Sequence, residues 1–140
     1  MSTEVTAVSM TTRIVSLLGI ATDVYSLSAS RPSRLHVVVV PGNPGCAQFY
    51  IPFVQQLHTQ LDGGAHVHTL SYAGHELDGC NSGTMYPLSC QAPHKLAFIE
   101  ELQRDHTDAE FVLFGHSLGA WVALEVCLCC FWATVIYSSA

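Results

Sequence analysis

The stretch Phe111-Val112-Leu113-Phe114-Gly115-His116-Ser117-Leu118-Gly119-Ala120-Trp121-Val122-Ala123-Leu124-Glu125 decides the reading of this chain. Its first four residues are an apolar run suited to a strand, and Ala120 to Glu125 suit a helix. Between them stands G-x-S-x-G. The backbone of that turn is strained, and side chains flanking the serine would collide with the strand and helix it joins, so glycine is needed on both sides. Such an elbow holds a serine hydroxyl out at the top of a sheet. Ser117 is therefore the candidate nucleophile, with Gly115 and Gly119 as the elbow glycines.

Upstream of the elbow, strand-like and helix-like segments alternate. Arg13 to Leu18 and Val24 to Leu27 read as a hairpin around a Gly19-to-Asp23 turn. Leu35-His36-Val37-Val38-Val39-Val40 lacks alternation, which predicts a central parallel strand buried on both faces. Pro41-Gly42-Asn43-Pro44-Gly45 ends it, since its prolines and glycines exclude strand and helix alike. Helical spacing follows, with Phe49, Phe53, Val54, Leu57 and Leu61 on one apolar face and Gln55, Gln56 and Thr59 opposite, stopped by Asp62-Gly63-Gly64. His66 to Ser71 reads as a strand leading into the turn Ala73 to Glu76, and Leu77 to Ala92 as a loop. A second helix is expected from Pro93 to Arg104, with Leu96, Ile99 and Leu102 inward and Glu100, Glu101 and Arg104 in water. Beyond the elbow helix, Ala133 to Tyr137 suits a short final strand. This order predicts an α/β fold with a mostly parallel sheet flanked by helices.

Composition narrows the function classes. A net charge of −6 and a charged fraction of 11% argue against nucleic acid, because phosphate binding needs a basic patch and only Arg13, Arg31, Arg34, Lys95 and Arg104 are cationic. The six cysteines show no paired spacing, which favours a reduced, intracellular protein over a disulfide framework. Cys127 and Cys130 have zinc-ligand spacing without a second pair, and their apolar setting reads as packing, so no metal site is expected. No cofactor is implied. No apolar run reaches the roughly 18 residues that span a bilayer, so any membrane contact is expected to be peripheral.

A serine hydroxyl needs a base to take its proton, and the oxyanion formed on attack needs two preorganised N–H donors. In an elbow hydrolase one donor is the backbone N–H after the serine, here Leu118, and the other comes from the loop after the preceding central strand. Asn43 is the expected second donor, since Pro44 has no N–H.

Taken together, Val37 to Val40 running into Pro41-Gly42-Asn43-Pro44-Gly45, then Phe49-Tyr50 with Phe53, Ala73-Gly74-His75, and Gly115-His116-Ser117-Leu118-Gly119-Ala120 resemble the lipid droplet-associated hydrolase family of α/β-hydrolases. The resemblance covers Leu35 to Glu125. It implies an α/β-hydrolase fold, a nucleophile at Ser117, and ester hydrolysis of cholesteryl esters or related neutral lipids in lipid storage. It also implies residence on lipid droplets and the cytosolic face of the endoplasmic reticulum, with a peripheral hold on the droplet surface.

The family pattern orders its triad Ser, then Asp or Glu, then His, whereas residues 118–140 contain neither Asp nor His. Glu125 lies two helical turns beyond Ser117 and points away from it on that spacing. The expectation is a single incomplete α/β-hydrolase domain over 1–140, truncated or with an alternative ending at 126–140, lacking later strands and impaired in activity. Of the eight histidines, His75 is the best substitute base, because its turn lies at a strand's carboxyl end. A non-catalytic lipid-droplet-binding or regulatory form is the alternative, with Trp121, Phe131 and Trp132 for lipid contact and Cys127, Cys129 and Cys130 for acylation. A small-ester hydrolase or acyltransferase using the same elbow is the third reading.

Overall fold

A computed structural model describes residues 8–129 and 133–138. The elements are β1 (Thr11–Leu17), β2 (Ile20–Leu27), β3 (Leu35–Val40), a 3-10 turn (Ala47–Tyr50), α1 (Ile51–Gln60), β4 (His66–Leu70), a second 3-10 turn (Leu88–Cys90), α2 (Gln91–Asp105), β5 (Glu110–His116), α3 (Leu118–Cys129) and β6 (Ala133–Ser138). One sheet runs β1-β2-β4-β3-β5-β6. The β1–β2 and β2–β4 pairs are antiparallel and the others parallel.

The valine run of β3 explains the two-faced core. Val38 and Val40 face one layer with Phe98, Ile99, Leu102, Val122, Ala123 and Val126, so α2 and α3 cover that side. Val37 and Val39 face the other, with Val54 of α1 and Val67 of β4. All four valines are no more than 5% exposed, as expected of a central parallel strand. From β3 the chain crosses to β4 on one side and later reaches β5 on the other. Winding therefore reverses at β3, and a crevice opens beyond its carboxyl end.

Four expectations need correction. The hairpin turn is Leu18-Gly19, both at positive φ, rather than Gly19 to Asp23. Thr22 and Asp23 lie inside β2 and are buried, because Thr22 pairs with His94 (2.8 Å) and Asp23 accepts from Ser71 Oγ (3.0 Å). Phe49 falls in a 3-10 turn, and Phe49 and Phe53 are 64% and 38% exposed, so the core face of α1 is Val54 and His58 with Leu57 and Leu61 beside them. The second helix begins at Gln91 rather than Pro93, where the Gln91 amide takes both the N–H and C=O of Ala73 (2.8 and 3.3 Å), and Lys95 is buried within it. The lipid-contact and acylation expectations at Cys130, Phe131 and Trp132 fall outside the described residues.

Candidate active site

Ser117 is exposed and has φ 54, the left-handed conformation that a strained elbow imposes on its serine. It follows β5 directly and precedes the first residue of α3, with Ala120 N–H donating to Ser117 O (2.9 Å). Both flanking glycines are sterically required. A Cβ on Gly115 would come 2.5 Å from Ala120 Cα, and one on Gly119 would overlap Val40 O and lie 2.5 Å from Pro41 O. The α3 N-terminus is thus pressed against the end of β3.

The Pro41–Gly45 loop meets this elbow. A Cβ on Gly42 would stand 2.9 Å from His116 O and 3.1 Å from Ser117 Cβ. The loop closes on itself through Gly45 N–H to Gly42 O (2.7 Å), leaving Asn43 exposed. On the β4 side, Tyr72 N–H donates to Gly45 O (2.9 Å) and His75 Nδ1 bonds Pro44 O. On the elbow side, Gly42 N–H donates to Tyr50 Oη (2.8 Å), which lies 2.7 Å from His116 Nδ1. A pocket of about 420 Å3 adjoins the loop, with Asn43 and Pro44 at its rim, aromatic walls from Phe49, Tyr50, Phe53 and Phe114, and His116 beside them.

The fold therefore brings Ser117, Leu118, Gly115, Gly119 and the Asn43 loop together. His75 lies on the β4 side of that loop, engaged with Pro44, and makes no hydrogen bond to Ser117. Among the described residues, no carboxylate or imidazole is hydrogen-bonded to the Ser117 hydroxyl. Tyr50 and His116 are the site residues that periodicity missed. The Phe49-Tyr50 pair sat in the sequence without a reason to single out its hydroxyl.

Two polar clusters lie elsewhere. Lys95, fully buried, donates to Ser71 O and His94 Nδ1 (2.9 Å each), while His94 Nε2 meets Thr22. Burial pushes Lys95 down to about 7, and burial plus the Lys95 charge pushes His94 down to about 3. At the amino end of the sheet His36 stacks on His66 (4.5 Å between centroids) and His68 (5.3 Å), and His106 lies tilted against it at 5.0 Å. His36 Nδ1 bonds His68 Nε2 (3.0 Å), and Ser26 Oγ bonds His68 Nδ1 (2.8 Å). Burial first and the neighbouring imidazoles second hold His36 at about 4 and His68 at about 3. No group of His, Cys, Asp and Glu among the described residues is arranged to hold a metal ion. No described helix is long and apolar enough to cross a membrane.

The sheet order, the strained serine elbow and the loop packed on it define part of an α/β-hydrolase fold. A carboxyl esterase from Bacillus coagulans superposes with a TM-score of 0.73 at 16% identity, over 92% of this chain and 44% of that one. An alpha-beta serine hydrolase homologue from Coxiella burnetii gives 0.71 at 14% identity, over 91% and 61%. The chain belongs to the lipid droplet-associated hydrolase family, whose model matches residues 33–136 and so extends past Glu125 into β6. The lipid droplet-associated hydrolase of Homo sapiens is 32% identical over 121 residues, covering 75% of this chain and 36% of that protein. The Dictyostelium discoideum relative is 29% identical over 111 residues, with the same shares. The chain spans about a third of the length of these curated relatives.

Proposed function

We propose that the site is that of a serine ester hydrolase acting on cholesteryl esters or related neutral lipids in lipid storage, at lipid droplets and the cytosolic face of the endoplasmic reticulum. The observation that carries this reading is Ser117, exposed at positive φ with the Pro41–Gly45 loop packed against it. Ser117 Oγ attacks the ester carbonyl carbon, and the carbonyl oxygen takes the negative charge between the N–H groups of Leu118 and Asn43. Collapse of this intermediate breaks the ester C–O bond, the departing alcohol oxygen takes up the proton given up by Ser117, and water hydrolyses the acyl-serine to the acid and free Ser117. The aromatic pocket beside Asn43 suits an apolar substituent of the ester.

No carboxylate or imidazole among the described residues is hydrogen-bonded to the Ser117 hydroxyl, and slow reaction is the expected behaviour of this 140-residue chain. Oxyanion donors and binding alone still give roughly 10³–10⁴ over water. Fluorophosphonate labelling followed by mass spectrometry of the Ser117 peptide is expected to show slow, saturable modification that S117A abolishes. Equal labelling of S117A would remove Ser117 from the chemistry.

The second reading is a non-catalytic lipid-droplet-binding form. The carboxyl edge of the sheet supports it, because Leu18 of the β1–β2 turn and Leu77 and Met85 of the loop after β4 are exposed by 64%, 60% and 93%. Asn81 binds that loop to the hairpin through the N–H and C=O of Ala21 (3.2 and 2.8 Å). Flotation with triolein droplets under a phosphatidylcholine monolayer should show binding that L18S/M85S weakens by roughly tenfold or more. S117A should bind like wild type in that assay. Binding unaffected by L18S/M85S would remove this edge as the contact.

A further inference from the structure

The carbonyl-end loop and the elbow are tied by one hydroxyl. Tyr50 Oη receives the Gly42 N–H at 2.8 Å and is also hydrogen-bonded to His116 Nδ1 at 2.7 Å. Gly42 precedes Asn43, and His116 precedes Ser117. The rings of Tyr50 and His116 lie 5.9 Å apart at 58°, so neither stacks on the other, and the hydroxyl is their polar link. Tyr50 ends the 3-10 turn that leads into α1, where Pro52 lies in the first helical turn. This backbone anchors the hydroxyl from a third direction, independent of β3 and β5.

We propose that Tyr50 is a positioning residue of the reaction: its hydroxyl, bridging Gly42 N–H and His116 Nδ1, sets the Asn43 N–H against the Ser117 hydroxyl. This rests on the reading of Ser117 as nucleophile and Asn43 as oxyanion donor. Loss of the bridge leaves the loop in van der Waals contact with His116, because Gly42 still packs there. The result is a loop that is seated but no longer aimed. Misplacement by an ångström costs about a hundredfold in rate, and partial misplacement should cost about tenfold.

The test is Y50F in the 140-residue chain, with fluorophosphonate labelling of Ser117 resolved into a saturating rate and a half-saturation concentration. Solution NMR of the same protein reads Gly42 amide exchange and the His116 ring ¹⁵N shifts. The expected result is a saturating rate about tenfold lower at unchanged half-saturation, with faster Gly42 exchange and a shifted His116 Nδ1 resonance. His116→Asn, whose side-chain amide can pair with the Tyr50 hydroxyl in the place of Nδ1, should lose less than His116→Ala. H116A and Y50F together should cost no more than either alone. If Y50F does not fold, the two His116 variants decide the question by themselves. Wild-type labelling by folded Y50F, still abolished by S117A, overturns the role of Tyr50 and leaves the nucleophile in place. Labelling that S117A does not abolish, or none at all in folded wild type, removes the nucleophile reading and with it the reaction that Tyr50 would assist.

Discussion

Replacing Gly119 by alanine is expected to destabilise the chain by about 3 kcal/mol or more, a large share of the 5–15 kcal/mol typical of a folded domain. The added methyl would overlap Val40 O and sit 2.5 Å from Pro41 O, and both obstacles are main chain. A flexible side chain could swing aside, but a carbonyl at the end of a buried strand cannot. Relief requires the first turn of α3 to lift from β3, which unpacks Val122 and Val126 from Val38, Val40 and Leu113. Gly79→Ala is the control, since a Cβ there meets nothing within 4 Å and only its φ of 68° is penalised, at about 1–2 kcal/mol. Urea unfolding of the two variants should separate them clearly. A G119A midpoint matching that of G79A would contradict the close packing of loop and helix.

Acidification should unfold the chain well before its carboxylates are exhausted. His36, His68 and His94 are held at about 4, 3 and 3 in the folded state against about 6.5 when unfolded. A lowered histidine is neutral in the fold and charged in the open chain. Unfolding therefore takes up protons at pH values between the folded and unfolded pKa, and stability falls as pH drops through that window. Near pH 5 the three groups together approach three protons, a slope of about 4 kcal/mol per pH unit. Asp23 works in the opposite sense, because burial raises its carboxyl and the fold holds that proton more readily than the open chain. Glu76 and Asp78, lowered by their hydrogen bonds to Asn81 and Cys80, add to the loss at lower pH. Urea midpoints measured from pH 7 to pH 4 should fall steeply below about pH 6. A flat profile down to pH 5 would mean that these imidazoles are charged or hydrated in the native protein.

What could be read from the sequence was what local rules govern. The elbow declares itself by its motif between strand and helix, where Gly115 answers to Gly119 and Ala120 close by in sequence although Gly119 answers to the distant Val40 and Pro41, and β3 because an unbroken valine run has no polar side to offer water. The misreadings share a different cause. Thr22 and Asp23 looked like turn residues because their partners, His94 and Ser71, lie 72 and 48 positions away. The sequence counts Lys95 only as one of five cations, because nothing near it in sequence reveals the Ser71 carbonyl that it meets in the core. Helical spacing put Phe49 and Phe53 on one stripe with Val54, but it cannot tell which part of a stripe meets the sheet and which overhangs it. Here the overhang is the pocket wall. The family motif brought Ser117 and Asn43 into view as a pair, while the hydroxyl of Tyr50 that links their neighbours became visible only in three dimensions.

The register Val40↔Gly115 between β3 and β5 sets a dimension as well as a topology. β3 ends at Val40 and β5 one residue past its partner, at His116, so the two segments that follow them start about one interstrand spacing (4.8 Å) apart. That spacing is fixed by a ladder of main-chain hydrogen bonds between two strands lined by core valines and leucines. The gauge of the crevice is thus inherited from the stiffest part of the molecule, and thermal motion of the loops changes their aim more readily than their separation.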